Sequence, residues 1–146
     1  MKEKVLSVFF KIIRVLLPSG ALALSAVNGS YLLTVMQTAD TMEGSYVKAT
    51  NYFDSWVLES GNWGPMACIL LTIAAIVCAV VCIFKETEKT LTYLTSFSCL
   101  AMVGALATLI FQQLTGLGWL IAGLLAANVA IATIQEMKLE DANRRK

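Results

Sequence analysis

Four stretches without a single charged residue constrain this chain more than any other feature. They cover residues 15–36, 65–84, 90–111 and 114–134, and each is long enough to cross about 30 Å of hydrocarbon at about 1.5 Å of rise per helical residue. A bilayer interior supplies no water to the backbone, so such segments cross it as helices that pair their own amides and carbonyls. Composition agrees, since 58% of the 146 residues are hydrophobic and only 14% charged, against roughly 25% charged in soluble domains. The fold class to expect is all-α: an integral membrane four-helix bundle, a single membrane domain over residues 1–146, with residues 37–64 as an external loop.

The first fourteen residues follow another pattern. Lys4, Ser7, Lys11 and Arg14 recur at intervals of three and four, with Val5, Phe9 and Ile12 among the apolar residues between them. This spacing predicts an amphipathic helix with one basic face. Holding Lys11 or Arg14 at mid-membrane costs roughly 2.5–3.5 kcal/mol each on insertion scales, so residues 1–14 are expected to lie along the interface. Pro18-Ser19-Gly20 would then bend the chain into the first span. A secretory leader cut after Ala21-Leu22-Ala23 is the competing reading, but the apolar run continues to Met36 and favours a retained anchor.

Charge sorting predicts orientation. With both termini and the Lys85 to Lys89 turn on one side, every basic residue except Lys48 falls there. The positive-inside rule makes that side the cytoplasm, in a multi-pass protein of the cell membrane. The external loop then carries Asp40, Glu43, Asp54 and Glu59 against Lys48, and Trp56, Trp63 and Trp119 sit in or beside the outer connections, where an indole buries its ring and keeps its N–H wet.

The residue inventory excludes much chemistry. The chain has no histidine, so Ser-His, Cys-His and His-metal sites cannot be built within it. Its four cysteines, Cys68, Cys78, Cys82 and Cys99, all lie in apolar runs. Cys78 and Cys82 share a helix face, yet two thiols in hydrocarbon make a poor metal site and read better as small packing residues. The membrane composition, with a net charge of +1, sets nucleic-acid binding aside. No enzyme activity, cofactor or metal is expected; the partners expected are the lipid bilayer and another membrane protein or a second copy of the chain.

Helices in lipid associate through small residues that let backbones approach. Each span has them: Ala21, Ser25 and Gly29 in the first; Ala74, Ala75, Cys78, Ala79 and Cys82 in the second; Ala101 and Ala105 in the third; and Gly118, Ala122, Ala126 and Ala130 at every fourth position in the last, beside Gly123 and Ala127. Asn28 and Asn128 lie about 12 Å and about 15 Å below the outer ends of their spans. Both amides are expected to face the bundle interior and to bond across helices. Thr92, Ser96 and Cys99 form a moderately polar face on the third span; their hydroxyls either bond the carbonyl one turn back or line a polar path. Asn28, Asn128, Thr92 and Ser96 are therefore the candidate intramembrane polar site.

In the external loop, Tyr46, Ala49, Phe53, Trp56 and Val57 recur at helical spacing. The pattern predicts a short amphipathic helix on the bilayer surface, followed by a turn through Trp63 into the second span. Tyr46, Phe53, Trp56 and Trp63 are the candidate partner-contact residues. With no ionisable residue in the middle of any span, ion-coupled transport is disfavoured. The function to expect is a non-enzymatic accessory or regulatory subunit of a membrane complex; the alternative is an oligomeric channel, holin-like pore or carrier for a neutral or apolar solute.

Overall fold

The computed structural model describes residues 2–26, 35–41, 44–50, 53, 63–108, 113–114 and 116–145. In chain order it contains α1 (Lys2–Ser25), β1 (Val35–Thr41), β2 (Gly44–Thr50), α2 (Gly64–Phe84), α3 (Glu88–Ala107), β3 (Gln113–Leu114) and α4 (Gly116–Arg144). All four helices are long and apolar enough to cross a membrane, so the helical membrane bundle anticipated from the charge-free runs is present.

Local chemistry sets the helix ends. Pro65 occupies the first turn of α2, where its missing N–H leaves no helical bond unmade. At the other end the Lys85 amide closes on the Val81 carbonyl at 2.8 Å. Residue Thr87 then caps α3 reciprocally: the Thr90 amide donates to Thr87 Oγ1 at 3.3 Å and the Thr87 amide donates to Thr90 Oγ1 at 2.9 Å. Glu88 follows in the first turn, where a carboxylate suits the positive end of the helix dipole. The connection between α2 and α3 is thus so short that the two must be antiparallel neighbours. Packing closes the ring through α3 with α4, α4 with α1 and α1 with α2.

The interior of this ring follows one spacing rule. Buried positions alternate three and four apart in every helix: Arg14, Pro18, Ala21 and Ser25 in α1; Pro65, Cys68, Thr72, Ala75, Ala79 and Cys82 in α2; Leu91, Leu94, Ser98, Ala101 and Ala105 in α3; and Gly118, Ile121, Leu125, Asn128 and Ala132 in α4. Such a pattern drifts by only about 20° per seven residues, so one seam faces the neighbours along the whole helix. The every-fourth pattern in α4 turns by about 40° at each step, and it leaves the seam: Gly118 and Ala122 are buried, whereas Ala126 and Ala130 are exposed.

Small seam residues bring α2 and α3 into backbone contact. A Cβ placed on Gly64 would stand 2.8 Å from the Gly104 carbonyl oxygen and 2.9 Å from the Thr108 amide nitrogen; one on Gly104 would stand 3.0 Å from the Cys68 nitrogen. Neither position has room for a side chain, and Gly104 joins Ala101 and Ala105 as a seam residue that the sequence pattern alone did not single out.

Three boundaries differ from those predicted. The basic segment and the first span form one helix, unbroken from Lys2 to Ser25 through Pro18, so the helix does not end at Pro18-Ser19-Gly20 and the first membrane-length segment is Val5–Ser25 rather than residues 15–36. Arg14 and Lys11 can enter this helix because Glu86 meets them, as described below. Helix α4 runs on to Arg144, past residue 134, with Arg144 and Glu140 paired one turn apart. Residues 46–50, expected in a surface helix, belong instead to a strand.

That strand is part of a three-stranded antiparallel sheet in the order β2-β1-β3. In the hairpin Val35 pairs with Thr50, Ala39 with Tyr46 and Thr41 with Gly44; Val35 and Met36 of β1 pair on their other edge with Leu114 and Gln113. Val35, Thr38, Thr41, Val47 and Thr50 are β-branched, a composition that fits a pleated ladder and outweighs the helical spacing of the aromatics. The sheet ties the connection after α1 to the connection before α4.

The two glycine environments give a direct comparison. Gly64→Ala and Gly104→Ala are expected to destabilise the bundle by about 1–3 kcal/mol through overpacking. Gly123→Ala, whose Cβ would meet nothing within 4 Å, is expected to leave stability unchanged or raised by up to about 1 kcal/mol. Unfolding in mixed micelles measures both.

Candidate functional site

The seam holds two apolar clusters. One is built on Ala21, Cys68, Ala101, Ile121 and Leu125, the other on Ala75, Ala79, Leu91, Leu94 and Ala132. Between them, one seam position each from α2, α3 and α4 is polar: Thr72, Ser98 and Asn128, all buried. Asn128 Nδ2 donates to Ser98 Oγ at 2.8 Å, joining α4 to α3. The Thr72 hydroxyl donates to the Cys68 carbonyl one turn back at 2.6 Å, which satisfies it within its own helix. Asn128 Oδ1 and the Thr95 hydroxyl are buried without a partner.

Asn128 therefore has the inward orientation and cross-helix bond expected of it. Asn28 lies outside the described residues. Thr92 and Ser96 do not join the layer, because both are exposed on the outer face of α3; the Thr92 hydroxyl bonds the Glu88 carbonyl at 2.9 Å and also the Glu136 carboxylate. The residue brought to Asn128 is Ser98, which continues the three-four spacing set by Leu91 and Leu94. Among the loop candidates, Tyr46 stands in β2 opposite Ala39, Phe53 is exposed in a turn, Trp63 is exposed at the N-cap of α2, and Trp56 lies outside the described residues.

A second polar group stands nearer the termini. Arg14 is only 1% exposed. Its Nη2 meets Glu86 Oε1 at 3.3 Å, while Lys11 Nζ meets Glu86 Oε2 at 3.0 Å. Two cations thus share one carboxylate, and that carboxylate sits in the turn between α2 and α3. Arg14 Nε and Nη1 remain without a partner, as does the buried Gln135 Oε1 at the next seam step of α4 after Ala132. Pro18, one turn further along α1, supplies no N–H and so also releases the Arg14 carbonyl from the helical ladder.

These contacts bring both chain ends to one end of the bundle. Lys11 and Arg14 of α1 reach the turn at Glu86, Asn143 near the end of α4 donates to Glu88 Oε1 at 2.6 Å, and Lys138 lies 6.0 Å from the centre of the Phe10 ring. The sheet occupies the connections at the opposite end. Neither protein-family models, nor curated proteins, nor solved structures give a match to this chain.

The Asn128–Ser98 bond can be weighed with a double-mutant cycle. Asn128→Ala and Ser98→Ala are expected to show a coupling of about 0.6 kcal/mol, the average for interhelical bonds in membranes and at most about 1.7 kcal/mol. Additive effects of the two substitutions in unfolding measurements would exclude the bond as a specificity element.

Proposed function

We propose that this chain is a non-enzymatic, multi-pass protein of the cell membrane that serves as an accessory or regulatory subunit of a membrane complex, with both termini in the cytoplasm. The observation that carries this reading is the outer face of α4. The outward positions of α2 are bulky: Leu70, Ile73, Val77 and Val81. Those in the middle of α4 are Gly123, Ala126, Ala127 and Ala130. Glycine and alanine facing acyl chains add little contact area, whereas facing another helix they allow backbones to approach. Helix α4 thus carries a face of small residues outside its seam, left for a second membrane protein or a second copy of the chain. The cytoplasmic placement of the termini rests on the basic residues gathered at their end of the bundle.

An oligomeric channel, holin-like pore or carrier is the second reading, and the unpaired Asn128 Oδ1 speaks for it as a solute contact. Against a path through the single chain stand Leu91, Leu94, Ile121 and Leu125, fully buried in the seam above and below Asn128.

A photo-crosslinking side chain at position 127 is expected to give a discrete adduct with one membrane protein, or with a second copy of the chain, and Gly123→Leu with Ala130→Leu is expected to abolish it. The same group at position 73 is expected to give none. Equal crosslinking at both positions, or dye release from vesicles containing this protein alone, contradicts the subunit reading.

A further inference from the structure

Where α2 and α3 stop, the seam between α1 and α4 continues with no helix covering it. The uncovered part forms a groove of about 570 Å³, lined by Leu6, Ser7, Phe10, Glu86, Gln135, Lys138, Leu139 and Ala142. Its walls are of two kinds. Leu6, Phe10, Leu139 and Ala142 are apolar, whereas Ser7, Gln135 and Lys138 present polar groups beside Glu86.

Charge in this groove does not balance. Glu86 already carries Lys11 on one oxygen and Arg14 on the other, and Lys138 lines the same groove. Lys11 and Arg14 stand behind Glu86, outside the lining, so three cations and one carboxylate lie in or against the groove. Nor are the donors used up, since Arg14 is almost wholly buried yet keeps Nε and Nη1 without an acceptor. Removing a guanidinium from water is costly unless its donors and charge are met. Of the other described carboxylates at this end, Glu88 meets Asn143, Glu136 meets Thr92 and Glu140 meets Arg144, while Asp141 does not line the groove. What the groove lacks is one more anion.

We propose that the groove is a binding site for an anionic phospholipid, whose phosphodiester meets Lys138 in the excess positive charge that Lys11 and Arg14 supply behind Glu86, while an acyl chain lies along Leu6, Phe10 and Leu139. A membrane lipid is favoured over a soluble anion by the position of the groove, which opens where the hydrophobic helices α2 and α3 end and so stands at headgroup level. Basic pockets between helices at that level bind acidic headgroups by the same combination of charge and apolar wall. This site lies on the inner seam of α1 and α4, away from the small-residue face of α4 on which the subunit reading rests, so either proposal can fail without the other.

The test uses the full chain in zwitterionic micelles, with retained lipid read by native mass spectrometry during titration with phosphatidylglycerol, phosphatidylcholine or inorganic phosphate. One phosphatidylglycerol per chain is expected, with phosphatidylcholine bound at least about five-fold more weakly, and Lys138→Gln is expected to weaken phosphatidylglycerol by about five-fold, the share of one basic residue. Inorganic phosphate in excess is expected not to displace the lipid. A second readout separates binding from mere structural support: Glu86→Gln removes the resident anion, and phosphatidylglycerol, unlike phosphatidylcholine, is expected to restore the thermal midpoint that this substitution lowers. Equal retention of the two lipids, displacement by inorganic phosphate, indifference to Lys138→Gln, or failure of phosphatidylglycerol to restore Glu86→Gln would each overturn the proposal.

Discussion

Apolar helices in lipid gain little by leaving acyl chains for one another, so this bundle depends on how closely its backbones can approach along the three-four seam. Gly64 against Gly104 is the tightest point. Around it the seam alternates alanine, cysteine and threonine with a few leucines and isoleucines, small residues admitting the neighbouring helix and larger ones filling the space beside it. The polar layer of Thr72, Ser98 and Asn128 interrupts this apolar seam at one level. A helix shifted by one turn would lose the Asn128–Ser98 bond and bury an amide with no cross-helix partner, so the layer contributes register more than stability.

At each end of the helices a different set of forces takes over. Near the termini, charge is admitted because a turn carboxylate is within reach: Glu86 lies where α2 has ended, and from there it meets both Lys11 and Arg14 of α1. The ion cluster fixes α1 against the α2–α3 turn, while Lys138 over Phe10 and Asn143 on Glu88 hold the long tail of α4 to the same place. At the opposite end, backbone pairing replaces side-chain packing. The sheet joins segments from two separate connections, one following α1 and the other preceding α4, through main-chain hydrogen bonds.

Helix number and type were legible in the sequence because hydrocarbon length and the absence of charge leave few alternatives, and Asn128 was legible because a buried amide must find a partner. Two of the misplaced features share one cause: each depends on a contact from a distant part of the chain. Arg14 and Lys11 mark an interface when α1 is considered alone; Glu86, 72 residues beyond Arg14, meets both cations where the helix continues unbroken past them. The strand at Tyr46 depends on pairing with β1, against which the helical spacing of its aromatics is a weaker influence. Thr92 and Ser96 are as polar as Ser98, but the seam selects Ser98 by its distance from Leu91 and Leu94. That signal was present in the sequence, and following the three-four alternation rather than the density of hydroxyls would have found it, as it would have separated Ala126 and Ala130 from the interior of α4.

The claim on which the rest hangs is that a three-four seam, and not the every-fourth row of small residues, is the inside of this bundle. A nitroxide scan of positions 118–134 in lipid bilayers, read as collision frequency with dissolved oxygen, tests it most directly. The account predicts minima at 118, 121, 125, 128 and 132 and maxima at 119, 123, 126 and 130. Minima at 126 and 130 with 125 and 128 open to oxygen, or a profile without helical period, would contradict it.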